Sequence, residues 1–212
     1  MLLCYITDRH QFPGNPIEQR QRVLEKVAEC VTAGVHYIQL REKDLSIREL
    51  ESLAGDVMRL FPANASTRLL INSRLDVALA CGAAGVHLPS RDLPPSEARS
   101  LLAGSAVIGV STHSLEEAMY AESHGADFAV FGPVFEKNFR VSADGLERLR
   151  QACNRPKVGT PMPLLALGGV TADNAAQCIE AGAAGVAGIR LFQENNVQQL
   201  VETLKTSSTQ RK

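Results

Sequence analysis

No apolar run in this chain approaches the roughly 20 residues needed to cross a bilayer. The amino terminus passes straight into an apolar segment at Leu2 without the pattern of a signal peptide. A cytoplasmic, soluble protein with no membrane partner is the expectation. There is no basic cluster, and a formal net charge of -1 over 212 residues argues against nucleic acid as the main partner. Cysteine is sparse and scattered: Cys4, Cys30, Cys81, Cys153 and Cys178 are odd in number and lack any C-x-x-C spacing, which fits reduced thiols used for packing. No linker rich in proline, glycine or serine divides the chain, so a second domain is not expected. Apolar residues at 45% and charged residues at 21% are ordinary for a chain that buries a sizeable core.

What is present is a repeated turn. Ala33-Gly34-Val35-His36-Tyr37-Ile38, Gly82 to Leu88, Gly125 to Phe131 and Gly182 to Ala187 each run from small residues into a short apolar segment. Each reads as a helix ending at glycine and feeding a buried parallel strand. Four more apolar runs lie between them: Leu2 to Ile6, Arg68 to Ile71, Ala106 to Val110, and Leu164 to Leu167. Strands alternating with helices in this way predict an α/β fold, a single-domain (β/α)8 TIM barrel over 1–204 with a polar carboxyl-terminal tail over 205–212.

The helix signals agree with that alternation. Val23, Leu24, Val27, Ala28 and Val31 form one apolar stripe, and Leu50, Leu53, Val57 and Leu60 form another. Ser46 with Glu49, and Ser114 with Glu117, are spaced as capping boxes. Pro94 and Pro95 suit a first helical turn. Glu136 to Gly145 fits neither pattern and is long enough to be an active-site loop.

A barrel of this type carries its chemistry at the carboxyl ends of its strands. Residues at or just past those ends include Thr7 and Asp8; Gln39, Arg41 and Lys43; Asn72 and Ser73; His87, Ser90 and Asp92; Ser111, Thr112 and His113. Later strands end in glycine, at Gly132, at Gly168 and Gly169, and at Gly188 ahead of Arg190. Bare backbone after the seventh strand, where Val170-Thr171 is expected to open a helix, and after the eighth suits a phosphate. Gln39, Arg41 and Lys43 alternate, so an extended segment turns all three to one side, where they suit a second anion. The competing arrangement pairs Arg41 with Glu42 or Asp44 at the surface.

On several motifs together the chain resembles thiamine-phosphate synthase and the related thiazole tautomerase (TenI). These are Tyr5-Ile6-Thr7-Asp8-Arg9, Gln39-Leu40-Arg41-Glu42-Lys43, Ile71-Asn72-Ser73-Arg74-Leu75-Asp76, Gly85-Val86-His87-Leu88, Gly109 to His113, Phe131-Gly132-Pro133-Val134-Phe135 and Ala166-Leu167-Gly168-Gly169-Val170. In the synthase the family implies a pyrimidine diphosphate whose diphosphate leaves with Mg²⁺ assistance while a thiazole phosphate captures the resulting cation. Carried over by position, the resemblance implies Gln39, Arg41, Lys43, Asn72 and Ser111 as diphosphate ligands and Asp92 as a metal ligand. The family's other metal-binding aspartate falls at Ser73, which supplies no charge. A Thr- and Lys-bearing loop of the synthase reads here Phe135 to Arg140, with Arg140 at the lysine position and both threonines absent.

Leu88-Pro89-Ser90 and Ser114 to Ala118 resemble the tautomerase branch, whose proton shift aromatises a thiazole carboxylate phosphate without metal. That branch's histidine falls at Pro133, which leaves His87 and His113, with Ser111, as candidate catalytic groups. The favoured reading is a thiazole-phosphate-binding enzyme of thiamine biosynthesis with tautomerase-type activity and no resident cofactor. Phosphate contacts fall to Gly168, Gly169, Gly188 and Arg190. The alternatives are the synthase, which would bring Mg²⁺, and a non-catalytic barrel that binds thiazole or thiamine phosphate; another phosphosugar-handling barrel ranks last. Oligomeric state stays open, and a homo-oligomer is compatible with the sequence.

Overall fold

The computed structural model describes residues 1–102, 104–135, 144–156 and 160–209. Eight parallel strands close on themselves in chain order: β1 (Leu2–Ile6), β2 (Tyr37–Leu40), β3 (Arg68–Asn72), β4 (Gly85–Leu88), β5 (Val107–Thr112), β6 (Phe128–Phe131), β7 (Leu164–Ala166) and β8 (Gly185–Gly188). The ring is completed by β1 against β8, with Leu2 opposite Gly185 and Tyr5 opposite Gly188. The expected barrel is what forms. Its strands begin where the apolar runs do and extend further at β3 and β5, because Asn72, Ser111 and Thr112 continue the ladder.

Alternation along each strand sorts two cores. Leu3, Tyr5, Ile38, Leu40, Leu69 and Ile71 face outward into the layer shared with the helices. Cys4, Ile6, Leu70, Val107, Phe128, Val130, Leu165 and Ala187 fill the lumen. Tyr37 stacks on Phe128 across that lumen, ring centroids 4.6 Å apart. The barrel is therefore a packed body open only at its strand ends.

The outer ring is α1 (Pro16–Thr32), α2 (Ile47–Met58), α3 (Leu75–Cys81), α4 (Pro95–Leu102), α5 (Leu115–Ser123), α6 (Gly145–Cys153), α7 (Ala175–Glu180), α8 (Arg190–Gln193) and α9 (Val197–Thr209). The stripe of α1 buries Val23 and Val27, and that of α2 buries Leu50, Leu53 and Val57. Ser46 and Glu49 form the reciprocal capping box. Ser114 and Glu117 form only half of one. Ser114 accepts the Glu117 amide, but the Glu117 carboxylate turns to the backbone and ring of His113.

Two expectations need correction. Val170-Thr171 does not open a helix: Asn174 Oδ1 accepts the Thr171 N–H at 2.8 Å and its Nδ2 donates to the Gly169 carbonyl at 2.9 Å, pinning a turn that delays α7 to Ala175. The polar stretch from Lys205, expected as a tail, continues α9 to Thr209. Residues 136–143, which hold the expected active-site loop and Arg140, lie outside the described residues. Among the described residues, no helix is long and apolar enough to cross a membrane.

Candidate active site

The inward side chains of the uppermost layer divide the mouth of the barrel into two halves. Consecutive strands β2 to β5 contribute Gln39, Asn72, His87 and Ser111; strands β6, β7 and β8, with β1, contribute Val130, Leu167, Ile189 and Ile6. Together they line a cavity of about 370 Å³, with Arg41, Lys43, Pro89, Ser90 and His113 at its rim. One wall is polar and the other apolar, a division set by which strands end in polar residues.

On the polar wall Gln39 Nε2 donates to Asn72 Oδ1 at 2.8 Å, and His87 Nε2 lies 3.0 Å from Ser111 Oγ. Gln39 and His87 are 2% and 1% exposed, yet Gln39 Oε1 and His87 Nδ1 have no hydrogen-bond partner. Gln39 is buried in the polar wall and lines the same cavity as Arg41 and Lys43. Burial against the Phe128 ring, and then the charge of Arg41, push the His87 pKa down to about 3. His87 is consequently a neutral imidazole at physiological pH, and a weak base for proton transfer. His113 lines the same cavity. It is exposed, its ring Nδ1 lies 3.1 Å from Glu117 Oε2, and its carbonyl accepts Arg148. His87 therefore lacks the setting of a proton carrier poised near neutrality.

Arg41 and Lys43 do reach the mouth together. Thr7 Oγ1 accepts the Arg41 N–H at 2.9 Å, and Thr7 N donates to the Gln39 carbonyl at 2.9 Å, so the end of β1 fixes the path of the chain leaving β2. The competing pairing of Arg41 with its acidic neighbours does not form. Glu42 and Asp44 turn the other way, to Arg9, and among the described residues neither Arg41 nor Lys43 makes an ion pair. The sequence reading missed this arrangement; its signal was the strict alternation of charge from Arg41 to Asp44.

Over the apolar wall a second cavity of about 170 Å³ is enclosed by the turns after β7 and β8, including Gly168, Gly169, Gly188 and Arg190. It shares Leu167 and Ile189 with the larger cavity. Gly168 and Gly169 adopt φ of 93° and 63°, and a Cβ on Gly168 would lie 2.7 Å from Pro133 Cα. Only glycine brings the backbone this close. Arg190, an exposed residue, lines the same cavity.

The residues that would hold Mg²⁺ are Ser73 and Asp92. Ser73 has a left-handed backbone (φ 64°), its hydroxyl donates to Asp92 Oδ2, and Asp92 Oδ1 accepts the Leu93 N–H at 2.8 Å. Among the described residues, no cluster of three or more His, Cys, Asp or Glu could hold a metal alone. Hard oxygen donors with one carboxylate fit Mg²⁺ where substrate phosphates supply the rest of the charge. The pair fits the ion as a weak site.

A (β/α)8 barrel with cations on one side of its mouth and a bare glycine turn on the other has the features by which barrels commonly bind phosphate. The comparisons with known proteins narrow this class. The family model described as thiamine monophosphate synthase matches residues 3–192. Thiamine-phosphate synthase of Chlorobium luteolum is 40% identical over 187 residues, covering 88% of this chain and 82% of the relative. That of Shouchella clausii is 38% identical over 174 residues, covering 82% of each. The solved structure of a thiamine phosphate pyrophosphorylase from Pyrococcus furiosus superposes with a TM-score of 0.79 at 33% identity, covering 99% of this chain and 96% of that one. The chain belongs to the thiamine monophosphate synthase family.

Proposed function

We propose that this protein joins a pyrimidine diphosphate to a thiazole phosphate, giving thiamine phosphate and diphosphate. The observation that carries the reading is the pair of unlike anion seats on one mouth: Arg41 and Lys43 beside the polar wall, and the Gly168, Gly169, Gly188 and Arg190 turns beside the apolar one. A substitution between two phosphorylated partners needs both. Relatives with high coverage that carry the synthase name support the same choice.

Each half of the site has a task in this chemistry. The neutral floor of Gln39, Asn72, His87 and Ser111 offers donors and acceptors to an uncharged heteroaromatic ring, and its orphan atoms Gln39 Oε1 and His87 Nδ1 remain for ligand or water. A neutral His87 suits this, since a charged one would repel the carbon that becomes electron-poor. Arg41 and Lys43 hold the diphosphate at the rim, where the carbon–oxygen bond breaks and the electron pair leaves with the diphosphate. The thiazole nitrogen supplies the pair for the new carbon–nitrogen bond, with its ring against Val130, Leu167 and Ile189 and its phosphate on the glycine turns. Asp92 and Ser73 would hold Mg²⁺, which when bound neutralises charge on the departing diphosphate.

The tautomerase reading draws on Ser73 in place of a second carboxylate, but it needs a proton carrier, and the buried neutral His87 is a poor one. Incubation with both phosphorylated substrates and Mg²⁺ tests the proposal: thiamine phosphate is the expected product. Binding of both substrates without turnover would instead support the regulatory barrel.

A further inference from the structure

We infer that Arg9 is a positioning residue that keeps Arg41 and Lys43 available for a diphosphate by occupying the two carboxylates interleaved with them. The inference rests on the synthase reading above and deepens it. Arg9 lies in the 3₁₀ turn after β1 and is only 8% exposed. Its Nη1 donates to Glu42 Oε2 at 3.1 Å and to Asp44 Oδ1 at 2.6 Å, and its Nη2 donates to Asp44 Oδ2. The Arg9 backbone N–H adds contacts of 3.2 and 3.1 Å to both Glu42 oxygens. Glu42 is 5% exposed, so a buried carboxylate is matched by a nearly buried cation from a turn 33 residues away.

The consequence is a sorting of charge along four residues. Arg41, Glu42, Lys43 and Asp44 alternate in sequence, and the chain leaving β2 enters a turn at Lys43 and Asp44 in which the acidic and basic side chains take different sides. The clamp fixes the even pair against the β1 turn, while the odd pair lines the mouth. Without the guanidinium, Glu42 keeps the backbone N–H of residue 9 and Asp44 the His10 ring, but both carboxylates next to Arg41 and Lys43 lose the guanidinium's charge. They would then compete with the substrate for the same cations and oppose its charge.

Arg9→Gln tests this, with isothermal titration of pyrophosphate and, separately, of thiazole phosphate. Pyrophosphate affinity is expected to fall about tenfold or more, while thiazole phosphate affinity stays unchanged. The triple variant Arg9→Gln/Glu42→Gln/Asp44→Asn removes the competing charges and should restore pyrophosphate affinity to within about threefold of the original. A purely structural clamp would not be rescued in this way. If Arg9→Gln does not fold, Arg9→Lys, which keeps the charge but not the fork, should show an intermediate loss confined to pyrophosphate. Unchanged pyrophosphate binding in Arg9→Gln or Arg9→Lys, or a triple variant as weak as the single one, would overturn the inference alone. Absence of pyrophosphate binding by the unmodified chain would overturn the synthase reading as well.

Discussion

Ser73→Asp converts the hydrogen-bonded pair at the mouth into two carboxylates and should make the fold depend on a divalent cation. Ser73 already sits at φ 64°, a region that aspartate tolerates better than most residues, so the backbone accepts the change. The side chain loses its hydrogen bond to Asp92 Oδ2 and gains a like charge beside it. Two unit charges about 4 Å apart at an effective dielectric near 20 repel by about 4 kcal/mol. Both positions are half-buried, and relaxation toward solvent discounts this to about 1–3 kcal/mol of lost stability. Binding of Mg²⁺ by the folded state alone would recover about 2.7 kcal/mol at one hundred times its dissociation constant. Urea unfolding of both proteins with and without millimolar Mg²⁺ is the assay. The variant should unfold earlier without the ion and regain the loss with it, while the unmodified chain shifts little. A variant whose midpoint ignores Mg²⁺, or an unmodified chain stabilised as strongly as the variant, would refute the assignment of Ser73 to a weakened cation site.

Gly168→Ala places a Cβ 2.7 Å from both Pro133 Cα and Cβ at φ 93°, and should cost about 1–3 kcal/mol of stability and weaken thiazole phosphate binding, read by calorimetry. Binding as tight as before would separate the turn from the phosphate. Arg190→Ala, at an exposed position, should weaken the same ligand roughly three- to tenfold; unchanged affinity removes Arg190 from the phosphate seat. His87 gives a pH signature. Its folded pKa of about 3 lies below the ordinary 6.5, so the unfolded chain takes up the proton first, and stability falls as pH drops from about 6.5 toward 3. The slope approaches about 1.4 kcal/mol per pH unit below pH 6. Denaturant midpoints between pH 6.5 and 4.5 should show it, and His87→Gln should flatten it; an equal slope in the variant would exclude His87 as its source.

The strands were readable because each is a short buried run, every second one fed by a small-residue turn, and burial on both faces leaves no alternation to confuse the reading. Their polar ends were harder to place. Asn72, Ser111 and Thr112 belong to strands although their side chains suit loops: Asn72 and Ser111 face the lumen cavity, and the Thr112 hydroxyl donates to the Val130 carbonyl at 3.4 Å. The set of mouth residues was legible from chain order alone, and Gln39, Arg41, Lys43, Asn72, His87 and Ser111 do converge. Their states were not. Whether His87 carries a charge depends on Phe128, which arrives from β6 and has no local signature in sequence. The partner of Glu42 was equally hidden, because adjacency suggests Arg41 while the fold brings Arg9 against it from the preceding turn. The delayed start of α7 follows from the Asn174 side chain, which holds the Gly169 turn open ahead of the helix.

The central claim is that two anion seats on one barrel mouth serve one coupling reaction. Its most direct test is quantification of thiamine phosphate and released pyrophosphate, in equal amounts, from pyrimidine diphosphate and thiazole phosphate with Mg²⁺. The account predicts both products, and their loss when Arg41 and Lys43 are replaced by Ala. Saturating binding of both substrates with no pyrophosphate released, or turnover that survives removal of those two cations, would contradict it.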